Sequence, residues 1–302
     1  MRTGFRAACL MALCSMLAAA AAPAQKRKPK VGHSRQVFVS VTDAAGAPVL
    51  DLADADFEVT DGARKREILS SGLAKSPMRI ALFVDTSDGT ANAISQVRNG
   101  LTAFLEALPA DAEVMVVSTG RQVRVRLQPT TDRKKALDLV KGMFPDGGAT
   151  PLRDALLEID DRFFRKTEDR WPVFVIITGD SAESSAPANE TKFNKWLNEI
   201  PARGISAHAF ALKYRGGGLP DLVAHHVVQT AGGRFDFMNT ANALPDKLKV
   251  LGEQVANDAK EMGRWYEVEF ETNSDGSSPV EVGVARVGVG IRVSYRRVTQ
   301  ER

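Results

Sequence analysis

The stretch Arg79-Ile-Ala-Leu-Phe-Val-Asp-Thr-Ser-Asp-Gly-Thr90 constrains the fold of this chain more than any other. Ile80, Ala81, Leu82, Phe83 and Val84 form an unbroken apolar run, the mark of a strand covered on both faces in a parallel α/β sheet. Asp85 follows at the carboxyl end of that strand, the edge where loops and helix amino termini converge and ligands bind.

From about residue 77 to 262 the pattern alternates between strands and helices. Ile94, Val97, Leu101, Phe104, Leu105 and Leu108 fall on one helical face. Residues 113–118 read as a buried strand. Residues 122–127, with Val123, Val125 and Leu127 alternating with Arg124 and Arg126, read as a charged antiparallel edge. Asp132 can cap a helix to about Met143, and Pro151 suits the first turn of a helix over 152–164. Strands are expected at 171–178, 205–212 and 234–238, and helices at 190–200, 219–231 and 244–262. At the two ends the pattern is different. Val37, Val39 and Val41 alternate with Phe38 and Ser40, Phe57 and Val59 with Glu58 and Thr60, and Tyr266, Val268 and Phe270 with glutamates.

The expected fold class is therefore α/β: a doubly wound, mostly parallel six-stranded sheet, plus a small antiparallel β-sandwich formed by the two flanking segments. The expected divisions are a signal peptide at 1–24, a basic flexible leader at 25–35, sandwich halves at 36–76 and 263–298, and the central domain at 77–262.

Arg2 and Arg6 precede an uncharged run over 7–21, and Ala22, Pro23 and Ala24 offer small residues for cleavage. The run is too short for a membrane span, which needs about 20 residues. The expected location is secreted or periplasmic, with no transmembrane span in the mature chain. The charge of the run from Lys26 to Lys30 opposes translocation and leaves a retained anchor as the alternative. That run could also make weak contact with an anionic membrane surface, although a solvated leader is the plainer reading. Cys9 and Cys14 both lie in the signal, so the mature chain holds no disulfide and depends on its core. With 40 Lys and Arg against 37 Asp and Glu, there is no global field for nucleic acid.

Asp85, Ser87, Thr150 and Asp180 all fall on one rim of the expected sheet. Oxygen donors with hydroxyls among them suit a hard cation such as Mg²⁺ or Mn²⁺. The structural alternative is that Asp85 and Asp180 bind loop amides and Thr150 caps the helix after Pro151. A phosphatase-like reading would place Asp85, Asp88 and Asp180 around Mg²⁺. It requires a nucleophilic Asp where Thr86 stands, and Thr86 has no evident base beside it. Neighbouring His225 and His226 point about 100° apart on a helix and do not share a ligand. With no Ser-His-Asp order that stands out, nucleophilic hydrolysis lacks support, and the expectation is that the chain is not an enzyme.

The order of elements, Asp85-Thr-Ser87 after the first central strand, and Gly147-Gly-Ala-Thr150-Pro-Leu before a helix together resemble a von Willebrand factor type A domain. The flanks, with Asp43-Ala-Ala-Gly-Ala-Pro-Val49, Asp54-Ala-Asp-Phe57 and Trp265-Tyr-Glu-Val-Glu-Phe270, resemble the secreted bacterial VWFA-related group. The resemblance implies a non-catalytic protein-binding or adhesion module with a metal-ion-dependent adhesion site. The family's ligands are an Asp-x-Ser-x-Ser motif, a Thr and a later Asp. Asp85, Ser87 and Thr150 match these positions. The third motif position is Gly89, with Thr90 one residue late, and the last is Gly179, with Asp180 one residue late. A one-residue shift turns a side chain to the other side of an extended strand. Glycines at both places could let the loops bulge and re-aim Thr90 and Asp180. The alternative is a scaffold whose metal site has decayed.

Overall fold

The computed structural model describes residues 33–75, 77–165, 170–212, 219–272 and 280–299. The expected signal peptide and the Lys26 to Lys30 run lie outside these residues. Among the described residues no helix is long and apolar enough to cross a membrane.

The amino-terminal segment supplies β1 (His33–Thr42), β2 (Phe57–Asp61), β3 (Arg64–Arg66) and β4 (Ile68–Leu73). The central domain follows with β5 (Met78–Val84), α1 (Ile94–Ala107), β6 (Glu113–Ser118), β7 (Arg124–Thr130), α2 (Arg133–Lys141) and α3 (Leu152–Ile159). It continues through β8 (Trp171–Gly179), α4 (Glu190–Glu199), β9 (Ser206–Leu212), α5 (Leu219–Ala231), β10 (Phe235–Met238) and α6 (Leu244–Met262). The closing segment is β11 (Tyr266–Thr272), β12 (Val280–Val284) and β13 (Gly290–Thr299).

The central sheet runs β10-β9-β8-β5-β6-β7, parallel except for the antiparallel β6–β7 pair. Successive side chains of β5 and β8 point to opposite faces, and both faces are apolar because helices cover both. Ile80, Leu82 and Val84 pack with the apolar stripes of α1, α2 and α6. Ala81 and Phe83 pack with those of α3, α4 and α5. Each stripe follows helical spacing, as Val97, Leu101, Phe104 and Leu105 do in α1.

The flanks form two antiparallel sheets, β13-β1-β11-β4 and β12-β2-β3, enclosing Val37, Val39, Phe57, Val59, Tyr266, Val268 and Phe270. Two details correct the expectation. β1 is not half-buried: Phe38 on its other face is also fully buried, against Trp171 at 4.0 Å between ring centroids, and so joins the core of the central domain. The strand also begins at His33, inside the stretch expected as a leader. Arg35 is buried there because its guanidinium meets Asp61 at 3.2 Å.

Candidate functional site

β5 ends at Val84, and the Asp85 N–H donates to the Ile177 carbonyl, which fixes Asp85 between the ends of β5 and β8. Its carboxylate is fully buried. Oδ1 accepts from the Ser87 N–H at 2.8 Å and Oδ2 from the Gly179 N–H at 2.9 Å. The Ser87 and Thr150 hydroxyls add further hydrogen bonds. Burial pushes the Asp85 carboxyl above its ordinary value, and these hydrogen bonds offset part of that push.

The other two residues of the expected set make no side-chain hydrogen bond to the Asp85 carboxylate. The Thr90 hydroxyl donates to the carbonyls of Asp85 at 2.8 Å and Ser87 at 3.2 Å, so it closes its own turn and does not face the cluster. Asp180 is half-exposed, and no described residue makes a hydrogen bond or ion pair with its carboxylate. The two glycines let the loops approach closely. A Cβ at Gly89 would lie 2.7 Å from the Asp180 carbonyl, and one at Gly179 would lie 2.5 Å from Thr90 Cγ2 and 2.8 Å from the Gly89 carbonyl oxygen. The two loops touch backbone to backbone at Gly89, Gly179 and Asp180.

Sequence reasoning missed Ser181, whose hydroxyl shares a 2.8 Å hydrogen bond with Thr150. A hydroxyl directly after the Gly179-Asp180 strand end was the available signal. The segment after β8 then runs beside Thr150, which donates its N–H to Ala182 and accepts from Ser184. Asp85, Ser87 and Thr150 consequently have no exposed surface. A cation holding a coordination position open to a partner does not fit this arrangement. Among the described residues there is also no group of three His, Cys, Asp or Glu side chains able to hold a metal, so Asp85, Asp88 and Asp180 do not form a phosphatase-like cluster. Asp88 instead clasps the neighbouring loop, its N–H donating to the Gly148 carbonyl and its Oδ2 accepting from the Gly148 N–H at 3.1 Å.

Around this closed centre the loops are tied to one another. Asp146 accepts from the Thr86 hydroxyl at 2.8 Å and from Arg126 at 2.5 Å. Burial would raise the Asp146 carboxyl, but the hydrogen bonds from Arg126 and Thr86 outweigh it and hold the group below its ordinary value. Gly120 packs so closely on the Thr86 backbone that a Cβ there would approach to 2.6 Å. His225 is half-buried and His226 exposed, with ring centroids 6.4 Å apart and no shared site.

Residues 80–182 match the family model of the von Willebrand factor type A domain. No curated protein matches the chain. Among solved structures, the von Willebrand factor type A protein from Catenulispora acidiphila is 12% identical with a TM-score of 0.50, the match covering 76% of this chain and 52% of that one. This chain thus spans about half the length of that protein. The conserved hypothetical protein BatB from Bacteroides thetaiotaomicron is 14% identical with a TM-score of 0.46, covering 61% of this chain and 99% of that one. Manganese-loaded TRAP protein from Plasmodium vivax is 16% identical with a TM-score of 0.44, covering 74% of this chain and 80% of that one. The matched stretch runs from β5 through β8 into the loop that covers Thr150, and the mostly parallel six-stranded sheet with helices on both faces gives the central part of this chain the fold of a von Willebrand factor type A domain.

Proposed function

We propose that this chain is a non-catalytic protein-binding module, exported from the cytoplasm, that meets its partner through the loops at the carboxyl edge of the six-stranded sheet with no cation in the contact. The observation that carries this reading is the backbone contact of Gly89 with Gly179 and Asp180, which closes the centre where a shared metal would sit. The commitment of Asp88 to the Gly148 loop supports the non-catalytic part. The run from Arg2 to Ala24 supports export, and amino-terminal sequencing of the mature chain tests it.

One observation favours a second reading. Asp85 is a buried carboxylate that no cationic side chain among the described residues faces, and a small cation enclosed by Asp85, Ser87 and Thr150 would compensate its charge. Calorimetric titration of the full chain with Mg²⁺ and with Mn²⁺ separates the two. The metal-free reading expects no saturable heat at millimolar cation. Saturable heat near one site per chain that vanishes in Asp85→Ala would establish the enclosed cation instead.

A further inference from the structure

Arg121 is the one non-glycine residue with positive φ among those described, at +52°. The Gln122 N–H donates to the Gly120 carbonyl at 2.5 Å, closing a three-residue turn with Arg121 at its centre. The positive-φ form of this turn is the rare, strained one, and placing a side chain there costs about 1–2 kcal/mol. The turn is held on both sides, by Gly120 against Thr86 and by the Arg121 N–H donating to the Ala149 carbonyl at 2.9 Å. Glycine or asparagine would sit there with less strain.

The strained turn presents an exposed arginine whose guanidinium makes no hydrogen bond or ion pair with any described residue. Its stem lies along Gly148, and Nη2 is 3.8 Å from where a Gly147 Cβ would stand. The neighbouring arginines are all engaged. Arg126 and Arg124 face Asp146 at 2.5 and 3.7 Å, and Arg98 lies over the Phe144 ring at 4.8 Å while bonding the Met143 carbonyl. Phe144, three residues before Gly147 on the same loop, is 70% exposed despite that stacking. Among the described residues the rim beside the closed centre thus offers the Arg121 guanidinium, which makes no hydrogen bond or ion pair, and the large exposed ring of Phe144. A single free positive charge suits a single carboxylate, whereas a nucleic-acid backbone needs an array of free cations.

We propose that Arg121 and Phe144 form the anion-and-aromatic contact of this module, taking an Asp or Glu side chain of a partner polypeptide that carries an apolar residue close by. The inference deepens the protein-binding reading above and rests on it. A planar guanidinium donates two parallel hydrogen bonds to a carboxylate and needs no metal to do so.

The test is selection of a phage-displayed library of random peptides on the immobilised full chain in EDTA. Affinities of an enriched peptide are then measured by fluorescence anisotropy for the wild type, Arg121→Gln, Arg121→Gly and Phe144→Ser. The enriched sequences are expected to pair an acidic residue with an aromatic or aliphatic one. Arg121→Gln is expected to weaken binding about tenfold to a hundredfold without lowering the melting temperature. Arg121→Gly should lose binding equally while raising the melting temperature, since it relieves the turn. Arg121→Glu with a peptide whose acidic residue is replaced by Lys should restore binding, which a merely structural role would not do. Enriched peptides without acidic residues, or unchanged affinity in Arg121→Gln, would overturn the inference and leave the binding module standing. Failure of any peptide to enrich above the bare support would overturn both.

Discussion

Asp85 at the carboxyl edge of the sheet and Asp160 after α3 are both fully buried, yet only Asp160 faces cations. Asp160 meets Arg203 at 2.6 Å and Arg165 at 3.3 Å and accepts from the Trp196 indole at 3.0 Å. It staples the end of α3 to α4 and to the turn before β9. Asp85 is held by hydrogen bonds from two backbone N–H groups and two hydroxyls, and no cationic side chain among the described residues faces it. The same side chain therefore serves as an ionic staple in one place and as an organiser of loop ends in the other. The loops around Asp85 are kept in register by those hydrogen bonds.

Removing the staple should have the largest effect. Asp160→Ala leaves Arg203, only 10% exposed in its side chain, without its carboxylate, and is expected to lower stability by about 3–5 kcal/mol, read by urea unfolding. Next comes Gly179→Asp, which restores the family's aspartate beside Asp85. Its Cβ would press on Thr90 and on the Gly89 backbone, and crowding alone should cost about 1–3 kcal/mol without conferring cation binding. A variant that kept wild-type stability and bound Mg²⁺ would show that the loops can part.

Asp85→Asn should act more gently, by about 1 kcal/mol at neutral pH, because the amide keeps one acceptor and forfeits the other. Its pH dependence carries more information. The Asp85 carboxyl titrates above the ordinary 3.8 in the folded chain. In the window between that value and its raised folded pKa, the folded state binds the extra proton, so this group's contribution to stability falls as pH rises. Below 3.8 the contribution is fully present. His208, lowered to about 4 by burial and by Arg234, acts in the opposite sense as pH falls from 6.5. The quantity to read is therefore wild type minus Asp85→Asn across the acid range, which should grow as pH falls. A flat difference would mean that Asp85 is compensated after all. Smallest of all, Phe144→Ser should shift stability by no more than about 0.5 kcal/mol, since most of that ring is in solvent.

Much of the central domain was legible because its signals are local. Ile80 to Val84 carries its double burial in consecutive letters, and Arg124 and Arg126 mark β7 as an edge. Misreadings arose where a distant partner decides the outcome. Phe38 looked solvent-facing in an alternating strand, but Trp171, far along the chain, covers it. Arg35 looked like part of a basic leader, but Asp61 draws it inside. At the site, the letters marked Asp85, Ser87 and Thr150 as residues of one rim, and in the structure the Ser87 N–H donates to the Asp85 carboxylate. They could not show that Gly89 and Gly179 touch, because the approach of two backbones leaves no trace in residue type beyond the glycines themselves. Arg121 was invisible for the same reason: nothing in an arginine announces a positive φ.

The register of β1 has a consequence in time. β1 pairs with β11 through His33 to Val39 and with β13 through Ser34 to Thr42, and the whole α/β domain lies between β1 and those partners in the chain. A ribosome delivers residues in order, so the central sheet can be completed while β1 still has no neighbour on either side. Both of its edges must stay unpaired until residues 266–272 arrive. The first strand to be made is thus among the last to be paired, and the interval is when its edges are open to the wrong neighbour.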